Sequence, residues 1–178
     1  AAQSGIPFEL GIIRNHYVGR TFIQPTQNIR QLGVKLKHNA NKAVVKDKRI
    51  ILVDDSLVRG TTSVKIVQMM YEAGAKEVHM RLASPPITHP DFYGIDTPEK
   101  EHLLASRYDL AGMRSYIGVD SLAFVSVDGL YRACGYDGRD PMQPRFADHY
   151  FTGDYPTPLV DQDGDQRSAQ LSLLSETA

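Results

Sequence analysis

Residues 51–63 read ILVDDSLVRGTTS. An apolar run stops at two adjacent acids, Asp54 and Asp55, and Ser56, Leu57, Val58, Arg59, Gly60, Thr61 and Thr62 follow. Two carboxylates side by side repel each other unless a cationic or hydroxyl-rich group lies across from them. Vicinal sugar hydroxyls can donate to such a pair, and a metal ion can relieve the repulsion. Gly60 lets the backbone come close to a ligand. The hydroxyls and first-turn N–H groups of a following helix, with its dipole, make a phosphate cradle. The G-x-x-x-x-G-K-[ST] pattern of a Walker loop is absent. Acids and cradle together suit a phosphorylated sugar. The plainer reading is a strand-ending Asp-Asp turn before a capped helix. Four apolar residues before the acids and Gly-Thr-Thr after them weigh against it.

These residues need a strand to end beneath them and a helix to begin beside them. Ile50-Ile51-Leu52-Val53 is a continuous apolar run, which predicts a strand buried on both faces in a parallel sheet. Thr61-Thr62-Ser63 offers helix N-cap chemistry. Val64, Ile66, Val67, Met70 and Ala73 then recur at helical spacing, and Gly74 is a stop signal. Glu77 to Leu82 alternates like a strand, completing a βαβ unit with a right-handed crossover. Residues 84–98, with Pro85, Pro86, Pro90, Pro98 and Gly94, predict an ordered, turn-rich loop. Helical patterning returns from Glu99 to Ile117, LAFVSV (122–127) predicts a strand, and Val127-Asp128-Gly129-Leu130 opens a further helix. Upstream, Ile6 to Ile13 is a short, mostly apolar segment. Residues 14–42 are polar and basic and long for a loop, as lids are. The fold class is α/β, with one domain over 1–160 and a polar tail over 161–178.

Composition narrows the function classes. The chain has 178 residues, 42% hydrophobic and 23% charged, as a globular domain with a real core requires. Lys plus Arg number 20 against 21 Asp plus Glu, so the net charge of -1 argues against a general nucleic-acid binder. The lone Cys134 permits no internal disulfide and reads as a buried thiol. No apolar stretch approaches the roughly 18 residues of a membrane span and no secretory start is visible, so the expected compartment is the cytoplasm.

IILVDDSLVRGTT resembles the phosphoribosyl-pyrophosphate (PRPP) motif of type I phosphoribosyltransferases, here residues 50–62. GIIRNHYVGRTFIQPTQNIR, SPPITHPDFYGID and FTGDYPTPL narrow the resemblance to the glutamine PRPP amidotransferase family, over most of residues 4–160. The resemblance implies a type I phosphoribosyltransferase fold, a Rossmann-like parallel sheet flanked by helices. It implies that Asp54 and Asp55 bind the ribose 2′- and 3′-hydroxyls and Mg²⁺. Ser56, Val58, Arg59, Gly60, Thr61 and Thr62 would form the 5-phosphate loop. Residues 14–37 would be a lid that closes over PRPP, with Arg14, Tyr17, Arg20 and Lys37 implicated in closure and pyrophosphate contact. The implied reaction is attack of glutamine-derived ammonia on C1 of PRPP, giving 5-phosphoribosylamine and pyrophosphate in the first step of purine synthesis. AMP and GMP inhibition and a homotetramer or dimer are implied as well, without nucleic-acid or membrane partners.

Three features depart from that pattern. Full-length members begin with a glutaminase domain whose N-terminal cysteine is the nucleophile, whereas this chain begins Ala1-Ala2-Gln3-Ser4. It therefore reads as the C-terminal part of the phosphoribosyltransferase domain, without its first strands and incomplete or inactive alone. The strand and loop that hold pyrophosphate belong to the part expected upstream. Members with a [4Fe–4S] cluster carry cysteines where this chain has Asp91, Ala147 and Tyr150, so no iron–sulfur cluster is expected. His89 is expected to order its own loop, His16 to lie at the surface, and Asp161 to Asp165 to match a calcium loop only loosely. Two alternatives share the acid-to-Thr motif. A nucleobase salvage phosphoribosyltransferase leaves RNHYVGRTFI and SPPITHP unexplained. A PRPP-sensing regulator without catalysis would bring a DNA-binding segment or basic face.

Overall fold

A three-stranded parallel sheet carries the strand-end acids. The computed structural model of the chain describes residues 1–15, 38–95 and 97–159. The sheet is ordered β3 (Arg49–Asp54), β4 (Glu77–Leu82), β5 (Ser121–Phe124), with Asp54 opposite Leu82 and Leu82 opposite Phe124. Ahead of it, β1 (Ile12–Arg14) pairs antiparallel with β2 (His38–Ala40), which places Arg14 opposite His38. A single turn, α1 (Lys42–Val45), buries Val45 and leads into β3.

The βαβ unit forms where the apolar periods require it. Helix α2 (Thr61–Glu72) joins β3 to β4 and turns its Val67 and Met70 onto the sheet core of Val78, Met80 and Leu82. Gly74, at φ 98°, makes the turn after α2 in a conformation that favours glycine. Two backbone bonds, Asp47 N–H to the Gly74 carbonyl and Lys76 N–H to the Lys48 carbonyl, both 2.8 Å, fix the β4 entry beside that of β3. Asp120 accepts from Val78 N–H and the Tyr71 hydroxyl, both at 2.7 Å, and so ties the β5 entry to β4 and α2.

The stretch expected to be helical from Glu99 to Ile117 is broken into three pieces. A 3₁₀ turn (Lys100–His102), α3 (Leu104–Arg107) and α4 (Leu110–Ile117) are separated by extended backbone at Leu103, Tyr108 and Asp109. Two competing bonds account for the breaks. The Leu104 N–H is spent on the Val58 carbonyl at 2.8 Å, and Asp109 turns its carboxylate onto Gly112 N–H at 2.7 Å as the cap of α4. Met113 and Ile117 of α4 complete the core below the sheet. Helix α5 (Val127–Ala133), capped by Ser126, and α6 (His149–Thr152) follow.

Two expectations about burial are corrected. The β3 run is buried on one face only: Ile50 and Leu52 pack inward, while Ile51 is 44% and Val53 69% exposed. No described element covers that face at β3, and an unbroken apolar run cannot reveal which of its faces is covered. Cys134 is exposed, because it falls at the end of α5, where the chain turns out through Gly135. The tail proposed for 161–178 lies outside the described residues.

A polar staple joins the proline-rich loop of 84–98 to α6. The Asp91 carboxylate accepts from the Tyr150 hydroxyl at 2.8 Å and from the Tyr93 and Ile95 N–H groups, and lies 2.8 Å from His149 Nε2. Burial pushes its carboxyl up. The bonds from Ile95, Tyr150, His149 and Tyr93 outweigh burial and hold it down at about 2. Beside it Asp148 receives the Tyr131 hydroxyl and the Arg139 guanidinium, both at 2.7 Å. His89 belongs to this packing, as expected. Its Nδ1 meets the Thr88 hydroxyl at 2.9 Å, and its ring lies against Gly153, where an added Cβ would come within 2.7 Å of Nε2.

Candidate functional site

Six residues, 55–60, separate the last residue of β3 from the first residue of α2. Asp54 ends the strand half-buried, and Asp55 follows it exposed. The Asp55 N–H donates to Asp54 Oδ1 at 3.0 Å, and the Ser56 hydroxyl donates to Asp55 Oδ1 at 3.1 Å. These local bonds hold the two carboxylates in place without neutralising them. Burial raises the Asp54 pKa most; the Asp55 N–H opposes this, the Asp55 charge adds to it, and His38 opposes it through its charge. A cation or a set of donors brought to this pair meets an already destabilised charge.

The loop then drops Leu57 into the core, 2% exposed, and returns. Val58 is fixed by its carbonyl bond to Leu104 N–H. Gly60 takes φ 77° and serves as the N-cap of α2, with no side chain capping the helix. This corrects the expected role of Thr61-Thr62-Ser63. Thr61 and Thr62 lie inside the first turn and are exposed, so their hydroxyls do not cap. The first-turn N–H groups are left for an anion, and the dipole adds positive potential there. A side chain at Gly60 would reach 2.9 Å from Leu104 Cδ2 and 3.1 Å from Tyr116 Cε1, so only glycine fits this close approach. Asp55, Arg59, Thr61 and Thr62 are thus exposed and Asp54, Ser56 and Val58 half-buried, around the buried Gly60.

Of the residues assigned to a lid, Arg14 is described; Tyr17, Arg20 and Lys37, like His16, lie outside the described residues. Arg14 is exposed at the end of β1, and its strand partner His38 is near enough to Asp54 to act on its charge. Arg14 and His38 are thus paired across β1 and β2, and His38 lies near Asp54. In the sequence His38 is one member of a basic run, with no local signal that ties it to Asp54.

The donor set at β3 suits a small hard cation. Mg²⁺ is commonly held by one or two carboxylates, with waters and substrate oxygens filling its shell. Asp54 and Asp55 offer that much. Elsewhere among the described residues, Glu99, Glu101 and His102 bring three ligand atoms together, all on exposed side chains. No described helix is long and apolar enough to cross a membrane.

This chain has close relatives among known proteins. It is 65% identical over 176 residues to an amidophosphoribosyltransferase from Rhizobium etli, covering 98% of this chain and 36% of that protein. By sequence and fold, the chain belongs to the amidophosphoribosyltransferase family. The Bacillus subtilis amidophosphoribosyltransferase is 52% identical over 161 residues, covering 89% of this chain and 33% of that protein. A solved structure of the B. subtilis glutamine PRPP amidotransferase, complexed with ADP and GMP, superposes with a TM-score of 0.77 at 51% identity. It covers 91% of this chain and 35% of that one. A second, described as the allosteric regulatory enzyme of purine biosynthesis, gives 0.71 at 52% identity over 86% of this chain and 33% of its own. No family model matches. The chain spans about a third of the length of these amidophosphoribosyltransferases, and its fold is the type I phosphoribosyltransferase fold.

Proposed function

We propose that this chain supplies the PRPP-binding part of an amidophosphoribosyltransferase, which transfers glutamine-derived ammonia to C1 of PRPP in the first step of purine synthesis. The observation that carries this reading is the half-buried Asp54 and exposed Asp55 set beside the uncapped, Gly60-led N-terminus of α2. Asp54 and Asp55 accept the vicinal ribose hydroxyls, and Ser56 to Thr62 receive the 5-phosphate through hydroxyls and first-turn amides. Asp54 and Asp55 would also hold Mg²⁺, which when bound neutralises charge on the pyrophosphate. A C1–N bond forms as the C1–O bond to pyrophosphate breaks, and the bound ammonium sheds a proton to solvent. Positive charge grows on the sugar and negative charge on the leaving group, so the work of the protein is to orient both and exclude water. Arg14, Tyr17, Arg20 and Lys37 are assigned to a lid over 14–37 that closes on pyrophosphate. The pairing of β1 with β2 supports a closing segment rooted beside the acids.

AMP and GMP are proposed as feedback inhibitors, an assignment supported by the ADP and GMP bound to the B. subtilis enzyme. A homotetramer or dimer, a cytoplasmic location and a site free of iron–sulfur clusters belong to the same reading. Nucleobase salvage and non-catalytic PRPP sensing are not favoured by the names of the relatives.

Calorimetric titration of Mg·PRPP into the chain and into Asp54→Asn/Asp55→Asn tests the site, alongside a protein of the relatives' length carrying the same residues. Binding should fall at least tenfold, about 1.4 kcal/mol, in the variants. Because Asp55 is exposed, Asp55→Asn alone should change stability by no more than about 0.5 kcal/mol. Equal binding, or a sharp drop in melting temperature, would make the acids structural.

A further inference from the structure

Behind the phosphate loop stands a clasp built by α3 and the end of α4. The Leu104 N–H holds the Val58 carbonyl at 2.8 Å, and the fully buried Leu104 side chain backs onto Gly60. The Tyr116 ring closes the other side, 3.1 Å from where a Gly60 Cβ would stand. Tyr116 is itself braced: it stacks on Tyr108 at 5.7 Å and 27°, and the Arg107 guanidinium lies 5.2 Å from the Tyr108 ring centre. At 37% exposed, Tyr116 contributes little to the core, and its hydroxyl makes no hydrogen bond among the described residues. What its ring does is confine Gly60.

We propose that Tyr116 is a positioning residue for phosphate recognition, its ring holding Gly60 left-handed so that the first-turn amides of α2 stay aimed at the 5-phosphate. This rests on the PRPP reading above. An alternative without a recognition role would make Tyr116 a surface brace for α4 alone. The two differ in what they predict for substrate binding, since a misaimed phosphate loop weakens binding before it slows chemistry.

The test uses Tyr116→Ala and Tyr116→Phe in a protein of the relatives' length, with ammonia as nitrogen donor and pyrophosphate release as readout. Tyr116→Ala should raise KM for PRPP about tenfold with kcat held within about twofold, and Tyr116→Phe should match the wild type because only the ring is used. An unchanged KM, a loss confined to kcat, or an equal loss in Tyr116→Phe overturns the proposal. If the wild type releases no pyrophosphate, the PRPP reading fails by itself. The clasp is then decided in the 178-residue chain by titrating inorganic phosphate against the amide NMR signals of Gly60, Thr61 and Thr62. Weaker binding in Tyr116→Ala upholds it; equal binding, or no response in the wild type, overturns it.

Discussion

Replacing Gly60 by alanine attacks the loop at its tightest point, and the structure sets the size of the effect. A left-handed residue with a side chain costs about 1–2 kcal/mol, and Gly60 stands at φ 77°. The new methyl would also meet Leu104 Cδ2 at 2.9 Å and Tyr116 Cε1 at 3.1 Å. Forcing an extra carbon into a packed site costs about 1–3 kcal/mol. Leu104 is fully buried and has no space to turn into, whereas Tyr116, 37% exposed, can yield by giving up its stack on Tyr108. Relief through Tyr116 puts the total in the lower half of the combined range, about 2–3 kcal/mol. For a chain of this size that lowers the melting temperature by about 4–12 °C. Differential scanning calorimetry reads this directly, and phosphate titration on the same sample reads the loop. The expected result is both a lower melting temperature and weaker phosphate binding. A Gly60→Ala protein that melts with the wild type and binds phosphate equally well would refute the close-approach argument, since neither cost would then exist.

The acid limb of stability should depend on Asp91. Its folded pKa, about 2, lies below the ordinary 3.8, so its contribution is fully present above pH 4 or so and is lost as pH falls toward 2. Urea melts between those limits should steepen that loss in the wild type and flatten it in Asp91→Asn. At neutral pH, Asp91→Ala takes the acceptor away from the Tyr150 hydroxyl and from the buried His149 Nε2 and should cost about 1–3 kcal/mol. Cys134, exposed at the end of α5, should react in full with a thiol reagent on the native protein; slow labelling limited by unfolding would return the residue to the core.

How far the sequence could be read depended on whether a feature was local. The strand before Asp54, the helix through Met70 and the stop at Gly74 each follow from neighbours a few residues away, and β4 spans Glu77–Leu82 as its alternation requires. The clustering of Asp54 to Thr62 was legible for the same reason: the residues are consecutive. Bonds between distant segments were not. A backbone amide has no residue type to betray it, so nothing in the sequence announces that Leu104 N–H would seek Val58 and cut a helix short. Asp91 and His149 stand 58 positions apart, and no local pattern links them. The capping error was one of register. Thr61 is the right type of residue for a cap, but Gly60, in its left-handed turn, took the position one residue earlier.

The open face of β3 bears on how the chain behaves in the tube. Val53 and Ile51 show apolar surface to water on a strand that has a sheet neighbour, among the described residues, on one side alone. Such a strand is a template for another chain. Preparations of the chain by itself will grow stickier with concentration, binding hydrophobic dyes and pairing strand to strand. Solubility is thus set beside the proposed PRPP site, by residues of one six-residue strand, and a charged residue placed at Val53 would improve handling.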